Sequence, residues 1–450
     1  MPGLRPLLPA ITLLFAAPAA AEWTPPSGFC HAGAYAMSDG SRLILTPSDD
    51  PNLRYRFESG RSGRLYRDGE NHYVSGHGWA AREPVELEAR TGECGEDWLR
   101  LTYTDGTALQ GEKITLPAYP VTAMSGEARL YGELVMPADA SPAAVVVLQY
   151  GSGPDSAIAH NYLQHFLPLH GIAVLVFDKR GTGRSTGAFT ADIVTMAHDM
   201  AAMVDALPNR VDGIPVGVMG ESQGGWVAPL AAGYTETDFV VVSYGLTVSM
   251  QEEDRMEVAQ SLEAAGYGPD VLALGEQMHH AVMRVANSRF EDGMEELAAL
   301  KAQYRGEAWF DALGGDITSL LTSTPDAEMG ALRQMLDFPY DLTYDPRPAL
   351  EAIDVPLLWV LGDADTEAPP KSTRQMLLEL QADGIPVDLA VFPDAEHGII
   401  AVETDADGQP RLGSGYAGGY LDLLVDWIGD RELSGPHGRA ILFTYPRDRE

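Results

Sequence analysis

The chain has 450 residues, enough for two or three domains with substantial cores. Its 65 acidic residues against 30 basic ones leave a net charge of −35, which excludes the basic patch of a nucleic-acid binder and disfavours docking on anionic lipid. Apolar content of 45% is ordinary for a globular protein, so the acidity reads as a solvated surface.

The first residues have the pattern of a secretory signal. Arg5 is the only charge before Glu22, Leu7 to Ala17 is mostly apolar, and Ala17-Pro18-Ala19-Ala20-Ala21 offers small residues for cleavage. Residues 1–21 are therefore expected to be a signal peptide, and the protein to be exported, to a periplasm or beyond. The apolar run is too short to span about 30 Å of hydrocarbon, and no later segment approaches that length, so no stable membrane insertion is expected. Cys30 and Cys94 both follow the signal, and in an oxidising compartment such a pair invites a disulfide. Without histidines at ligand spacing the two are not a zinc site.

Residues 22–120 carry short strand-like runs such as Arg64-Leu65-Tyr66 and Leu99 to Tyr103, with Asp-Gly turns at Asp39, Asp68 and Asp105. They predict a small β domain. Its His31, His72 and His77 are given no chemistry.

From residue 121 strands and helices alternate. Arg129 to Met136, Ala143 to Gln149, Ile172 to Phe177, Ile214 to Met219 and Phe239 to Tyr244 read as strands, the apolar ones as buried parallel strands. Asn161 to His170, Ala191 to Leu207 and Trp226 to Ala232 read as helices. The alternation predicts a mostly parallel sheet with helices on both faces. It stops at 246–345, a helical and charged stretch with interspersed methionines, read as a cap whose methionines suit an adaptable apolar surface. It resumes with a strand at Val355 to Leu361, a helix at Ser372 to Leu380, a last strand at Val387 to Phe392 and a last helix at Tyr416 to Ile428. Residues 431–450 are expected to be a surface tail.

Gly220-Glu221-Ser222-Gln223-Gly224 lies between a strand and a helix, the setting of a nucleophile elbow. A serine hydroxyl is a poor nucleophile until a base within hydrogen-bond reach takes its proton and a carboxylate orients that base. Both partners are expected at the carboxyl ends of later strands. The acid is Asp365, in Gly362-Asp363-Ala364-Asp365, with Asp363 as the alternative. The base is His397, the only histidine between His280 and His437. Developing negative charge on the carbonyl oxygen needs positioned N–H donors. Gln223 supplies one, and the loop Gln149-Tyr150-Gly151-Ser152-Gly153-Pro154 the other, from Ser152 or alternatively Gly151. His160, His165 and His170 share no helical face and are not read as a metal site. Asp178-Lys179-Arg180-Gly181-Thr182-Gly183-Arg184-Ser185 fails the spacing of a phosphate loop. It reads as a tight loop near the active-site rim, held by local ion pairs of Asp178 and Arg180.

Together the segments around Tyr150, Asp178, Ser222, Asp365 and His397 resemble the α/β-hydrolase superfamily, and most closely its serine aminopeptidase-like and prolyl-oligopeptidase-like esterase branches. The resemblance covers residues 121–430. It implies an α/β-hydrolase fold with a helical cap at 246–345, preceded here by the small β domain. Many members have histidine where this chain has Tyr150, which changes the pocket wall but not the backbone donors. The expected activity is that of a serine hydrolase with catalytic Ser222, His397 and Asp365 and no metal or organic cofactor. The apolar, Met-containing cap favours carboxylic esters, with short peptides second; a peptidase would need carboxylates that converge on the peptide's amine. A non-catalytic binding protein on the same fold is the third reading, and it predicts a broken triad.

Overall fold

The computed structural model describes residues 24–138, 141–405 and 408–446, so the expected signal peptide lies outside the described residues. The first eight strands are β1 (Gly33–Met37), β2 (Arg42–Pro47), β3 (Leu53–Phe57), β4 (Ser62–Gly69), β5 (His72–Ser75), β6 (Leu87–Thr91), β7 (Trp98–Tyr103) and β8 (Ala108–Lys113). Each pairs antiparallel with the next, and β1 closes on β8 to make a barrel. Closure removes the free edges that a small sheet would otherwise expose. Alternate residues such as Leu43, Leu45, Leu53, Leu65, Leu99 and Leu101 fill its interior. A disulfide joins Cys30, just before β1, to Cys94 in the β6–β7 connection.

The large sheet begins with β9 (Ala118–Ser125) and β10 (Ala128–Val135), an antiparallel pair. It continues with β11 (Ala144–Gln149), β12 (Ile172–Asp178), β13 (Val216–Glu221), β14 (Phe239–Ser243), β15 (Leu357–Gly362) and β16 (Val387–Phe392). β11 to β16 run parallel, in the order β16-β15-β14-β13-β11-β12. Their near-total burial explains why they read as unbroken apolar runs, Val145-Val146-Val147 among them. Helices cover both faces. On one side lie α1 (Leu163–Phe166) and, at the far end of the chain, Leu424 and Trp427. On the other lie α2 (Ile193–Asp205) and α3 (Gly224–Ala232).

Between β14 and β15 the chain leaves the sheet to form the cap: α4 (Met250–Ala264), α5 (Pro269–Asn287), α6 (Met294–Tyr304), α7 (Asp316–Ser323) and α8 (Met329–Met335). Asp254 ties two of them by accepting from Ile317 N, Thr318 N and Thr318 Oγ1 at the start of α7. Helices α9 (Arg347–Glu351), α10 (Pro370–Ala382) and α11 (Tyr420–Asp430) complete the packing.

The end of the chain differs from expectation. Val387–Phe392 is not the last strand. After it come β17 (Ala395–Glu396), β18 (Ile400–Thr404) and β19 (Pro410–Tyr416), a small separate sheet, and β20 (Ile441–Phe443). β20 adds antiparallel to β16, so the expected surface tail caps the edge of the main sheet. These strands are short and partly polar, so no local period marks them, and the partner of β20 is distant in sequence.

Candidate active site

Ser222 sits between β13 and α3 at a φ of 52°, a left-handed conformation that a non-glycine residue adopts only under constraint. The glycines beside it make that turn possible. A Cβ on Gly220 would overlap the carbonyl of Gly224, and one on Gly224 would overlap that of Gln149. Side chains at either position would push the serine out of the turn.

His397 lies just past β17, with its Nε2 3.1 Å from Ser222 Oγ. Its Nδ1 is 3.0 Å from Asp365 Oδ2 and 3.2 Å from Oδ1. Asp365 is 1% exposed, and its Oδ1 also accepts from Glu367 N and Ala368 N. Three N–H donors therefore fix the carboxylate, that of His397 shared between its two oxygens. Asp363 instead accepts from Asp394 N at 2.7 Å and holds the neighbouring turn. Burial alone would lower the His397 pKa. Asp365, with Glu367 and Glu396 behind it, outweighs that and pushes it up to about 9.

The loop after β11 packs onto the nucleophile. A Cβ on Gly151 would stand 3.3 Å from Ser222 Cβ, so Gly151 and Ser152 pass directly beside it. Gln223 is the first residue of the α3 turn, where helix N–H groups have no partner within the helix. Beneath the loop lies Lys179, 3% exposed. Its Nζ donates to the carbonyl oxygens of Gly151 and Gly153, lies 3.5 Å from Gln223 Oε1 and sits 4.2 Å from the centre of the Tyr150 ring. Burial, opposed weakly by Asp155, lowers its pKa to about 7. Tyr150, the departure noted from the resembled pattern, donates its hydroxyl to Gly153 O at 2.9 Å and so braces the same loop.

The expected Asp178 and Arg180 pairing takes another form. Arg180 reaches α2 and binds Asp199, Nε to Oδ2 at 2.7 Å. Asp178 is fully buried and accepts from Ser156 Oγ and Arg184 N, shaping the loop through neutral donors. His165 is half-buried and His170 contacts Glu58 of the barrel at 3.1 Å, and among the described residues the three histidines form no cluster that could hold a metal ion. Among the described residues, Cys30, His31 and Cys94 are the group close enough to hold a metal ion, and the disulfide removes both thiolates.

A cavity of about 340 Å³ opens beside His397. Its wall includes Tyr162, Glu221, Tyr244, Glu367, Glu396 and Tyr416 from the hydrolase unit, and Arg56 and Trp79 from the barrel. Sequence reasoning missed the barrel residues, because nothing local to β3 shows that it faces a site far along the chain. The cap methionines Met278, Met283 and Met329 are buried in the cap's own core.

Residues 140–251 match the family described as serine aminopeptidase, S33, and residues 314–412 match the prolyl oligopeptidase family. No curated protein matches the chain. Similar solved structures include an esterase of Pyrococcus furiosus, 18% identical, TM-score 0.38, over 63% of this chain and 83% of its own. An acylaminoacyl peptidase of Pyrococcus horikoshii is 14% identical at a TM-score of 0.40, over 80% of this chain but 52% of its own. A proline iminopeptidase of Mycobacterium smegmatis is 22% identical at a TM-score of 0.38, over 62% of this chain and 91% of its own. The chain has the α/β-hydrolase fold and resembles, over the two matched stretches, the serine aminopeptidase and prolyl oligopeptidase families of serine hydrolases.

Proposed function

We propose that the protein hydrolyses an acyl bond with Ser222 as nucleophile, His397 as base and Asp365 as orienting acid. The observation that carries this reading is the unbroken line of hydrogen bonds from Ser222 Oγ through the imidazole to Asp365. With Nδ1–H donated to Asp365, Nε2 accepts the serine proton as Oγ attacks the carbonyl. The N–H groups of Ser152 and Gln223 receive the oxyanion. Nε2 then returns the proton to the leaving group, and water repeats the sequence on the acyl-enzyme. Export to an oxidising compartment is part of the proposal, supported by the Cys30–Cys94 bond.

The substrate we infer is a short peptide or other aminoacyl compound with a free amine. Glu221, Glu367 and Glu396 stand in the cavity wall. Glu253 and Glu257 on α4 and Asp316 at the start of α7 lie within electrostatic reach of the catalytic loop. Asp316 feels the charge of His397, and Glu257 that of Glu367. Burial, then mutual repulsion, raises the pKa of Glu253 and Glu257. Acids held above their ordinary range in this way are relieved by a bound cation. Ester hydrolysis is the second reading, favoured by the aromatic side chains of Tyr162, Tyr244, Tyr416 and Trp79 in the same wall.

Labelling by a fluorophosphonate probe tests the nucleophile. Wild type should label and Ser222→Ala should not; equal labelling of both would overturn the assignment. An aminoacyl 4-nitroanilide, its N-acetylated counterpart and a 4-nitrophenyl ester then separate the substrate classes. Preference for the free amine supports the aminoacyl reading, and turnover of the ester alone supports the second.

A further inference from the structure

We propose that the barrel completes the substrate site, and that Arg56 on β3 receives a carboxylate of the substrate remote from the scissile bond. The proposal rests on the Ser222 reading and extends it to a second anchoring group. Arg56 pairs in register with Ile44 on one side and Ser62 on the other, which turns its side chain out of the barrel interior toward the hydrolase unit. Its guanidinium lines the cavity that holds His397.

Three aromatic rings surround this cation. Its Cζ lies 4.9 Å from the Trp79 ring centre, 5.1 Å from Tyr162 and 4.9 Å from Tyr416. It donates one hydrogen bond, to the Tyr416 hydroxyl. Its buried Nε has no partner. Some barrel arginines have acids, Arg42 with Glu58 and Arg64 with Asp49, while the more buried Arg54 donates to the Trp79 carbonyl oxygen instead. Among the described residues no carboxylate forms an ion pair with Arg56. Glu221 feels its charge, but its carboxylate is bonded to Asn161 and Tyr244. In a chain of net charge −35, a guanidinium left without an acid at the edge of an active-site cavity is a costly arrangement. Neighbouring Arg54 is close enough to be repelled by this cation: burial, then Arg56 and Arg64, lower its pKa to about 9.

A planar guanidinium held between rings presents its remaining N–H groups as a fork, the geometry that suits a carboxylate. The cavity then has two poles. Carboxylates flank His397, and a guanidinium stands in the barrel wall. A ligand with an amine at one end and a carboxylate at the other satisfies both, which describes a short peptide with both termini free. Arg56 could instead serve only to glue barrel to hydrolase unit, and the two roles differ in a measurable way.

The test compares a dipeptide such as leucyl-alanine with its C-terminal amide, in wild type, Arg56→Met and Arg56→Lys. Each is read as turnover and as protection of Ser222 from fluorophosphonate labelling. Wild type should favour the free carboxylate, and Arg56→Met should reduce that preference about 10- to 100-fold, the range of a charge-assisted hydrogen bond. Arg56→Lys should keep part of it. Because the readout is a ratio within one preparation, a loss of folded protein cancels. No preference in wild type, or an equal loss for both ligands in Arg56→Met, overturns the proposal. Absence of Ser222 labelling in wild type is a different result and overturns the hydrolase reading itself.

Discussion

The side-chain nitrogen of Lys179 lies against the carbonyl oxygen of Gly151. The other end of that peptide unit is the N–H of Ser152, and the bond between the two residues is trans. In a planar trans peptide the N–H points away from the C=O, so anchoring the oxygen aims the hydrogen. Lys179→Met should therefore lower kcat by roughly 10²-fold, the scale of losing one oxyanion donor, with a much smaller change in KM. Lys179→Arg should recover part of the loss. Steady-state kinetics on a 4-nitrophenyl ester decides it, and an unchanged kcat in Lys179→Met would remove Lys179 from the account.

Two aspartates lie close together after β15, and their contacts separate them. Asp365→Asn removes the carboxylate charge and offers His397 Nδ1 an amide N–H that favours the wrong imidazole tautomer, and it should cost on the order of 10⁴ in kcat. Asp363→Asn keeps an oxygen for the Asp394 amide and should cost less than about tenfold, the scale of one neutral hydrogen bond. Comparable losses in both variants would contradict the assignment.

Activity should depend on pH through His397, which must be neutral to accept the serine proton. With its pKa pushed up to about 9, kcat/KM should still be rising through that pH. Glu367→Gln removes one of the charges that favour the imidazolium, so the rise should move to lower pH. The same shift bears on stability. A pKa raised above 6.5 contributes stability that is complete below that pH and is lost as pH climbs through about 9. A pH profile of Glu367→Gln that overlays wild type would show that Glu367 does not act on the base.

The Cys30–Cys94 bond closes a loop of 64 residues that contains most of the barrel. In the chain-entropy account such a crosslink is worth about 4 kcal/mol. A Cys30→Ser, Cys94→Ser double variant should melt at lower temperature in calorimetry. An unchanged Tm would mean that closure of β1 on β8 holds the barrel unaided.

The sheet and the elbow were legible because their signals are local. Ala143 to Gln149 is an apolar run that reads as a buried strand, and glycines two residues either side of Ser222 mark a tight turn in the sequence itself, although the group that excludes a Cβ at Gly224 is the distant Gln149 carbonyl. The barrel strands were visible through their Asp-Gly turns, but the closing pair of β1 and β8 joins residues far apart, such as Tyr35 and Lys113. β20 was missed for the same reason, and β18 and β19 because they are short, partly polar and irregular in register. The cap methionines carried an apolar signal that suits both a pocket wall and a core, and the packing chose the core. Arg56 had no signal at all, since its importance depends on how one folded unit docks on another.

That docking has a mechanical side. The strand after His397 leads into β18 and β19, and the end of that hairpin is stitched to the barrel through the bridge between Arg61 and Gly415 and the bond from Tyr416 N to Gly60 O. The segment that carries the imidazole is thus a strap strung between two bodies. A rocking of the barrel would tug on His397, while the serine, seated in the central sheet, would stay in place. The barrel is therefore not a detachable cassette: a chain trimmed of it would keep its nucleophile but leave the base on a slack tether.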